Sequence, residues 1–170
     1  MRTRILVVIV VLFVAAVASA SAAEEPSKKM EALSKMVGVW EGSGSMQRGP
    51  GEPAKFISRE VVESRLEGAI VVVEGTHWSP DRSAIVHHAM AVISPAEGEG
   101  YSFRSWLANG RSGDYRAWFE GDDLIWEIPS PAGKIRYAIS IEGDKWIEVG
   151  KIEREGKWLD FFWMNLERVK

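Results

Sequence analysis

The pattern of apolar and polar positions changes at residue 38, where short segments of alternating character begin and continue to the end of the chain. Such alternation is typical of β-strands, whose side chains point alternately to two faces. Clusters of Gly, Pro, Asn and Asp interrupt the segments at regular intervals and mark turns. The turns lie at Gly49–Pro53, Glu67–Gly68, Ser79–Asp81, Pro95–Gly100, Asn109–Gly113, Gly121–Asp123, Pro131–Gly133, Glu142–Asp144 and Glu155–Gly156. Nine turns divide this part of the chain into ten predicted strands.

The links between these strands are short enough for hairpins, and no second helical pattern lies among them. This arrangement predicts an antiparallel meander, because parallel β-α-β units need a helix between strands. An open meander would leave two unpaired edges, and closing the sheet removes them. We therefore predict an all-β fold, a single up-and-down antiparallel β-barrel of about ten strands, over residues 38–170.

A helix is predicted before the first strand, over Pro26–Val37. Proline suits the first position of a helix. Met30, Leu33 and Val37 recur at spacings of three and four, which gives one apolar stripe. A short amphipathic helix needs an apolar surface to cover, so we expect the segment 23–37 to close one end of the barrel.

Residues 1–22 have the features of a secretory signal peptide. Two arginines precede an apolar run, Ile5–Val17, and small residues after it offer cleavage sites following Ala20 or Ala22. The run is shorter than the roughly 20 residues that span a bilayer, so an uncleaved anchor is the less favoured alternative. We predict export to the periplasm or the extracellular space.

Composition narrows the classes of partner. The chain has no cysteine, which excludes disulfides and a lipid-anchored cysteine, so the core alone must hold the fold. Its 21 basic and 24 acidic residues give a net charge of −3. Nucleic acids and anionic membranes favour a basic face on their partners. We expect neither a nucleic-acid partner nor stable membrane insertion after signal cleavage.

The first predicted strand begins with Gly38–Gly44, where a tryptophan lies among glycines. Gly38 can adopt the left-handed conformation that ends a helix. Alternation places Trp40, Gly42 and Gly44 on one face. A tryptophan followed by two residues without side chains fits a barrel wall that is sealed at its base. Two interpretations stay open: the glycines allow bending and close approach of strands, or they leave room for a ligand.

A helix, a Gly-x-Trp motif and a β-meander that ends near a basic residue resemble the lipocalin and calycin superfamily. The matching residues are Gly38, Trp40 and Arg168. The resemblance implies that the tryptophan seals the base of the barrel and that the arginine packs over it. It implies a fold rather than an activity.

Two narrower resemblances rest on short motifs. Gly38–Gly44 is similar to the start of nitrobindin-like haem-binding barrels. Together with Lys134–Ser140 and Met164–Arg168, the chain over residues 30–170 looks more like a bacterial lipocalin-like family classed as a domain of unknown function. Nitrobindin-like barrels supply a haem-ligating histidine near the C-terminus. Residues 157–170 contain no histidine, so we expect no haem or other cofactor, unless a mid-chain histidine serves instead.

Eight Trp, six Phe and three Tyr are a heavy aromatic load for a chain of 170 residues. Aromatic residues occur on both strand parities, which fits either core packing with some surface rings or an aromatic-walled ligand pocket. Beside them lie mid-strand arginines that suit a carboxylate ligand or ring stacking. The candidate ligand-binding residues, besides those of the first strand, are His88, Arg104, Trp106, Arg116, Trp126, Arg136 and Tyr137.

The three histidines are His77, His87 and His88. Adjacent strand residues point to opposite faces, so His87 and His88 cannot ligate one interior metal ion, and we predict no metal site. Glu74 falls roughly opposite His88 across a hairpin. This pair fits an acid and base in a cavity, or a cross-strand pair on the surface.

No nucleotide-binding loop, nucleophile elbow or cysteine nucleophile occurs, so the sequence carries no catalytic signature. The leading hypothesis is an exported binding protein for a small hydrophobic or amphipathic ligand held in the barrel. The alternatives are a small barrel enzyme, isomerase- or hydrolase-like, that uses Glu74, His88 or Tyr137, and a non-catalytic envelope interaction protein with a filled barrel.

Overall fold

The computed structural model describes residues 28–130 and 133–170. Ten β-strands follow a short helical segment, in agreement with the predicted number. The strands are β1 (Gly38–Met46), β2 (Ala54–Arg65), β3 (Ile70–Trp78), β4 (Ile85–Pro95), β5 (Tyr101–Leu107), β6 (Ser112–Glu120), β7 (Asp123–Ser130), β8 (Gly133–Glu142), β9 (Lys145–Arg154) and β10 (Lys157–Arg168). The predicted signal peptide lies outside the described residues.

The strands form one closed sheet in which each strand pairs with its neighbours in sequence. Antiparallel pairing of β1 with β10 closes the barrel, with Trp40 opposite Arg168 and Met46 opposite Phe162. Closure removes the sheet edges that would otherwise be open to pairing with another chain. The prediction of a ten-stranded up-and-down antiparallel barrel is confirmed.

The interior face of β1 carries Trp40, Gly42 and Gly44, while the residues between them are exposed. Protein atoms fill the space beside the two glycines. A Cβ at Gly42 would collide with the backbone of Asn165, and one at Gly44 would collide with the ring of Phe56. The structure therefore supports the interpretation that these glycines allow close approach of neighbouring strands and rings.

The N-terminal helical segment is shorter and tighter than expected. Residues 28–30 are α-helical, and Glu31–Met36 form a 3₁₀ helix. Its buried side chains are Met30, Leu33 and Met36. Their spacing of three matches the three residues per turn of a 3₁₀ helix, whereas Val37 is extended and only half-buried. Among the described residues, no helix is long and apolar enough to cross a membrane.

The helical segment covers one end of the barrel, as predicted. Trp40 lies beneath it, fully buried, and donates a hydrogen bond from Nε1 to the backbone oxygen of Met36 over 2.8 Å. Arg168 packs over the indole, with Cζ 3.9 Å from the ring centroid. Its terminal nitrogens donate to the backbone oxygens of Val37 at 2.5 Å and Lys35 at 2.9 Å. We call the helical segment, Trp40 and Arg168 the plug.

Candidate functional site

The barrel holds a cavity of about 340 Å³. Met36 and Trp146 line its floor next to the plug, and His87, Leu107 and Arg111 line it near the opposite end. We call this opposite end the mouth, because Arg111 is exposed there on the turn between β5 and β6. The volume lies at the lower end of the range of roughly 300–1,000 Å³ that is usual for small-molecule sites.

One wall of the cavity is an aromatic stack supplied by three strands. Trp126 lies between Phe103, at a centroid distance of 4.5 Å, and Tyr137, at 4.4 Å, with all three rings nearly parallel. Tyr115 approaches Trp126 at 5.8 Å with a tilted ring. Strand pairing places Tyr137 directly opposite Trp126, so the sheet register itself builds this wall.

A second group of rings combines aromatic and imidazole side chains, of which His77 and Phe162 line the cavity and Phe56 packs behind them. Phe56 stacks on His77 with a centroid distance of 4.5 Å and an angle of 3° between the planes. Phe162 stacks on Phe56 at 5.6 Å. The ring of Phe56 occupies the space beside Gly44, so the small residue on β1 positions this wall.

Glu60 is a buried acid on this side of the cavity, with 6% of its surface exposed. Its Oε1 lies 3.2 Å from His77 Nε2 and accepts a hydrogen bond from Ser58 Oγ, also over 3.2 Å. The carboxylate packs directly over Gly75, where any side chain would displace it. The glycine on β3 therefore creates the space for an acid inside the barrel.

Glu148 is a second buried acid on the cavity wall, and it is 8% exposed. It forms no ion pair with any residue in the described part of the chain. Burial, reinforced by the charge of Glu60, raises the pKa of Glu148 to about 8, while the nearby indole of Trp146 acts weakly in the opposite direction. At pH 7 the carboxyl of Glu148 is therefore mostly protonated.

The remaining titratable groups of the cavity are mainly neutral. Burial lowers the pKa of His87 to about 4, assisted by the nearby charges of His77, Arg48 and His88, so the imidazole of His87 is uncharged at pH 7. Burial, with smaller contributions from Glu148 and Tyr115, raises the pKa of Tyr137 above its ordinary value. The interior thus offers hydrogen-bonding groups but little positive charge.

Two indole N–H groups in the cavity wall have no hydrogen-bond partner among the described residues, those of Trp126 and Trp146. Buried donors are normally paired, so each such group calls for an explanation. The N–H of Trp146 influences Glu148 without reaching hydrogen-bond geometry. The N–H of Trp126 is buried in the stacked wall without a protein partner among the described residues.

The arrangement suits binding of a small, mainly apolar molecule that makes a few polar contacts. In the part of the chain that the structure describes, no group of three or more His, Cys, Asp or Glu side chains could hold a metal ion. Of the residues proposed from sequence for a barrel enzyme, Tyr137 alone lines the cavity, whereas Glu74 and His88 do not.

Among the sequence-predicted ligand-binding residues, Trp126 and Tyr137 lie together in the cavity wall. Trp40, Gly42 and Gly44 also face the interior but do not line the cavity, because the plug and the close packing of β10 cover them.

Arg104 and Trp106 lie on the outer face of β5, since the alternate residues of that strand face inward. Arg104 lies 3.3 Å from Asp114 across the hairpin, and its guanidinium is 5.4 Å from the ring centroid of Trp106. Arg116 is likewise exposed on β6. These arginines do not reach the cavity.

Arg136 lies on the outer face of β8. Its guanidinium pairs with Glu127 at 2.9 Å and lies over the rings of Trp118 and Trp158, at 5.6 and 5.2 Å from their centroids. This environment matches the ring stacking expected from sequence, but on the outside of the barrel.

His88 also points outward. Its Nε2 lies 3.0 Å from Oε1 of Glu74, and both side chains are well exposed. The pair therefore matches the surface alternative of the sequence interpretation. Such a pair contributes a few tenths of a kcal/mol at about neutral pH.

Sequence reasoning missed Glu60 and Glu148. Glu60 on β2 lies directly opposite Trp40 on β1, and residues opposite each other in a sheet point to the same face. Its inward direction could have been deduced from that of Trp40 only if the register of the first hairpin had been known. Glu148 shares its parity with Trp146. Its neighbours Ile147 and Val149 face outward, so the apolar pattern of β9 points to the wrong face.

Comparisons with known proteins support the fold. No protein-family model matches this sequence, and no curated protein matches it. The chain is similar to a solved structure, that of Rv2717c from M. tuberculosis, with a TM-score of 0.64 and 13% identity, over 84% of this chain and 98% of that chain. A likeness at this identity establishes a common β-barrel fold alone. The narrower lipocalin-like assignment stays a prediction.

Proposed function

We propose that this protein binds a small, largely apolar molecule inside the barrel. The observation that carries the proposal is the cavity of about 340 Å³ with the stacked wall of Phe103, Trp126 and Tyr137. A barrel interior of a stable domain is usually filled by side chains at high density. Here the wall is aromatic and carries few polar groups, which is the usual composition of a ligand pocket. One indole N–H group in this wall, that of Trp126, has no hydrogen-bond partner among the described residues.

The positions of the charged side chains narrow the chemical class of the ligand. Fatty acids and similar anions favour an arginine at the site. The arginines at positions 104, 116 and 136 lie outside the barrel, and Arg111 lines the cavity only at its exposed mouth. Inside, Glu60 and Glu148 line the wall. The cavity therefore disfavours a carboxylate or phosphate and favours a neutral or positively charged molecule.

A cavity-filling substitution tests binding directly. Ala91 is buried and lines the cavity, and the adjacent Val92 faces outward. We expect the wild-type protein to enhance the fluorescence of N-phenyl-1-naphthylamine, an uncharged aromatic probe. Ala91→Phe should weaken this binding about tenfold or more, a change of about 1.4 kcal/mol per tenfold. The matched control Val92→Phe should bind the probe like the wild type.

Circular dichroism shows whether the variants fold, and Ala89→Phe is the second variant if Ala91→Phe does not, because Ala89 also lines the cavity. Native mass spectrometry of protein from its own source gives an independent reading, in which an added mass of a few hundred daltons supports the proposal. Equal probe binding by folded Ala91→Phe and wild type would contradict it. So would a wild-type protein that binds no small apolar probe, whether uncharged or positively charged.

A further inference from the structure

The interior of the barrel contains two acids, and one of them, Glu148, has no basic partner among the described residues. Glu60 and Glu148 are both more than nine-tenths buried and both line the cavity. Burial of a carboxylate is costly unless a cation or several donors compensate it. Glu60 has His77 and Ser58 as partners, whereas Glu148 has no ion pair within the described residues.

Some carboxylates on the outer face of the barrel form ion pairs, and the others there are hydrated by bulk water. On the outer face the ion pairs include Glu41 with Arg59 at 3.2 Å, Asp114 with Arg104 at 3.3 Å, and Glu127 with Arg136 at 2.9 Å. Glu148 differs from these acids because it is buried and has neither an ion pair within the described residues nor bulk water around it.

His77 is paired with Glu60, and the other charged or titratable groups around the cavity do not supply a cation for Glu148. His87 is neutral near pH 7, because its pKa is about 4. Arg111 is exposed at the mouth, where water screens its charge. Tyr115 and Tyr137 offer neutral hydroxyl groups, and no lysine is among the described residues that line the cavity.

A second observation points to a ligand on the same wall. Trp146 is 1% exposed and lines the cavity, and its Nε1 has no hydrogen-bond partner. It precedes Glu148 by two residues on the same face of β9. An ionised Glu148 would accept from this indole. A bound cation that favours ionisation of Glu148 therefore also satisfies the unpaired donor.

We propose that the cavity takes a small organic cation, a protonated amine on an apolar or aromatic body, whose ammonium group lies against Glu60 and Glu148. This inference rests on the proposed function and gives the chemical class of the ligand. The three N–H donors of an ammonium group match the oxygens of two carboxylates that line one cavity. The body of the ligand contacts the wall formed by Phe103 and Trp126.

Binding of a cation is linked to release of a proton. Because the carboxyl of Glu148 is mostly protonated at pH 7 in the empty cavity, an ammonium ligand that favours its ionised form displaces that proton. Titration calorimetry in buffers of different ionisation enthalpy measures the release, which should be about one proton per ligand near pH 7.

The test compares 2-phenylethylamine with 2-phenylethanol, two probes of the same shape that differ in charge. We expect the amine to bind the wild-type protein about tenfold or more tightly than the alcohol. Glu148→Gln should remove most of this preference and the proton release, while leaving alcohol binding within about twofold. Glu60→Gln should also weaken amine binding. The control Glu167→Gln, an exposed acid on β10, should behave like the wild type.

The outcomes separate the two proposals. If amine and alcohol bind equally well, the amine inference is overturned and the proposed function stands. The same holds if Glu148→Gln and Glu60→Gln both keep the full preference for the amine. If neither these probes nor the uncharged fluorescent probe binds, the proposed function falls and takes the amine inference with it.

Discussion

At the scale of single residues, Glu148 has the most unusual environment in the barrel. Burial and the neighbouring charge of Glu60 raise its pKa from 4.5 to about 8. The folded protein therefore holds a proton that the unfolded chain releases above pH 4.5. Since the unfolded state binds fewer protons over this range, the free energy of unfolding falls as the pH rises towards 8.

His87 acts in the opposite direction, but over a lower range of pH. Its pKa is 6.5 ordinarily and about 4 in the folded protein. Between these values the unfolded chain binds more protons, so His87 reduces stability as the pH falls below 6.5. Between about pH 6.5 and 8 the contribution of Glu148 therefore outweighs that of His87.

We predict that the wild-type protein loses about 1.5 kcal/mol of unfolding free energy between about pH 6.5 and 8, since one pKa unit corresponds to about 1.4 kcal/mol. Glu148→Gln should abolish most of this loss, whereas Glu167→Gln should keep it. Urea denaturation at a series of pH values measures the slope. Equal slopes for Glu148→Gln and wild type would show that Glu148 is ionised in the folded state.

The residues of the cavity were only partly predictable from sequence. Trp126 was recognised because its parity matched that of Leu124 and Ile128, and these residues do face inward. Glu148 was missed because the apolar side chains beside it, Ile147 and Val149, lie on the outer face. Apolar pattern identifies the interior only when the interior is the more apolar face, and a cavity with acids violates that condition.

At the scale of elements, the plug depends on one side chain from the last strand. Arg168 donates hydrogen bonds to the backbone oxygens of Lys35 and Val37 and covers the ring of Trp40. These carbonyl groups lie at the end of the helical segment, where no further turn can satisfy them. A single arginine thus connects the helix, β1 and β10.

We predict that Arg168→Gln lowers the free energy of unfolding by about 2 kcal/mol, because two partly buried carbonyl groups lose their charged donor. Arg154→Gln, an exposed residue at the end of β9, serves as the control and should change stability little. Chemical denaturation followed by tryptophan fluorescence measures both. Indistinguishable midpoints for the two variants would show that Arg168 does not hold the plug.

The strands were easier to predict than the cavity, because the residue types that form turns mark where each strand ends. Gly and Pro clusters located the nine links, although β6 begins at Ser112, inside the predicted turn Asn109–Gly113. The type of the helix was less accessible. The sequence predicted an α-helical stripe of Met30, Leu33 and Val37. In the structure Met36 takes the place of Val37 as the third residue that faces the barrel. Packing against the barrel end selects between the two spacings, and sequence propensity does not contain that information.

At the scale of the whole molecule, the pairing of β1 with β10 turns a meander into a barrel. This pairing joins residues far apart in sequence, while the other strand pairs are hairpins. Gly44 lies at the seam, where the ring of Phe56 and the backbone oxygen of Trp163 occupy the space of a side chain. The seam therefore tolerates no added atoms at this point.

Gly44→Ala should destabilise the protein by about 1–3 kcal/mol, the usual cost of overpacking. The control Gly49→Ala lies in the turn between β1 and β2, where an added Cβ meets no atom within 4 Å, and should leave stability nearly unchanged. Thermal and urea unfolding compare the two. A Gly44→Ala variant as stable as the control would mean that the seam adjusts freely.

Closure of the barrel followed from the number of strands and the cost of open edges, so the fold was predictable. The hollow interior was not. Whether aromatic side chains fill a barrel or line a cavity depends on their stacking, and the stack of Trp126 on Phe103 and Tyr137 leaves the centre open. That outcome is decided by packing geometry rather than by composition.

The position of the chain ends has a practical consequence for handling the molecule. The backbone N–H of Val169 donates to Val39 O over 2.8 Å, and Lys29 Nζ donates to Gly98 O over 2.7 Å, so the described chain starts and finishes around the plug. Attaching the protein to a tag or a sensor chip through its C-terminus therefore places the point of attachment at the sealed base and leaves the mouth facing bulk solution. Immobilised protein should retain the full access of small molecules that it has when free.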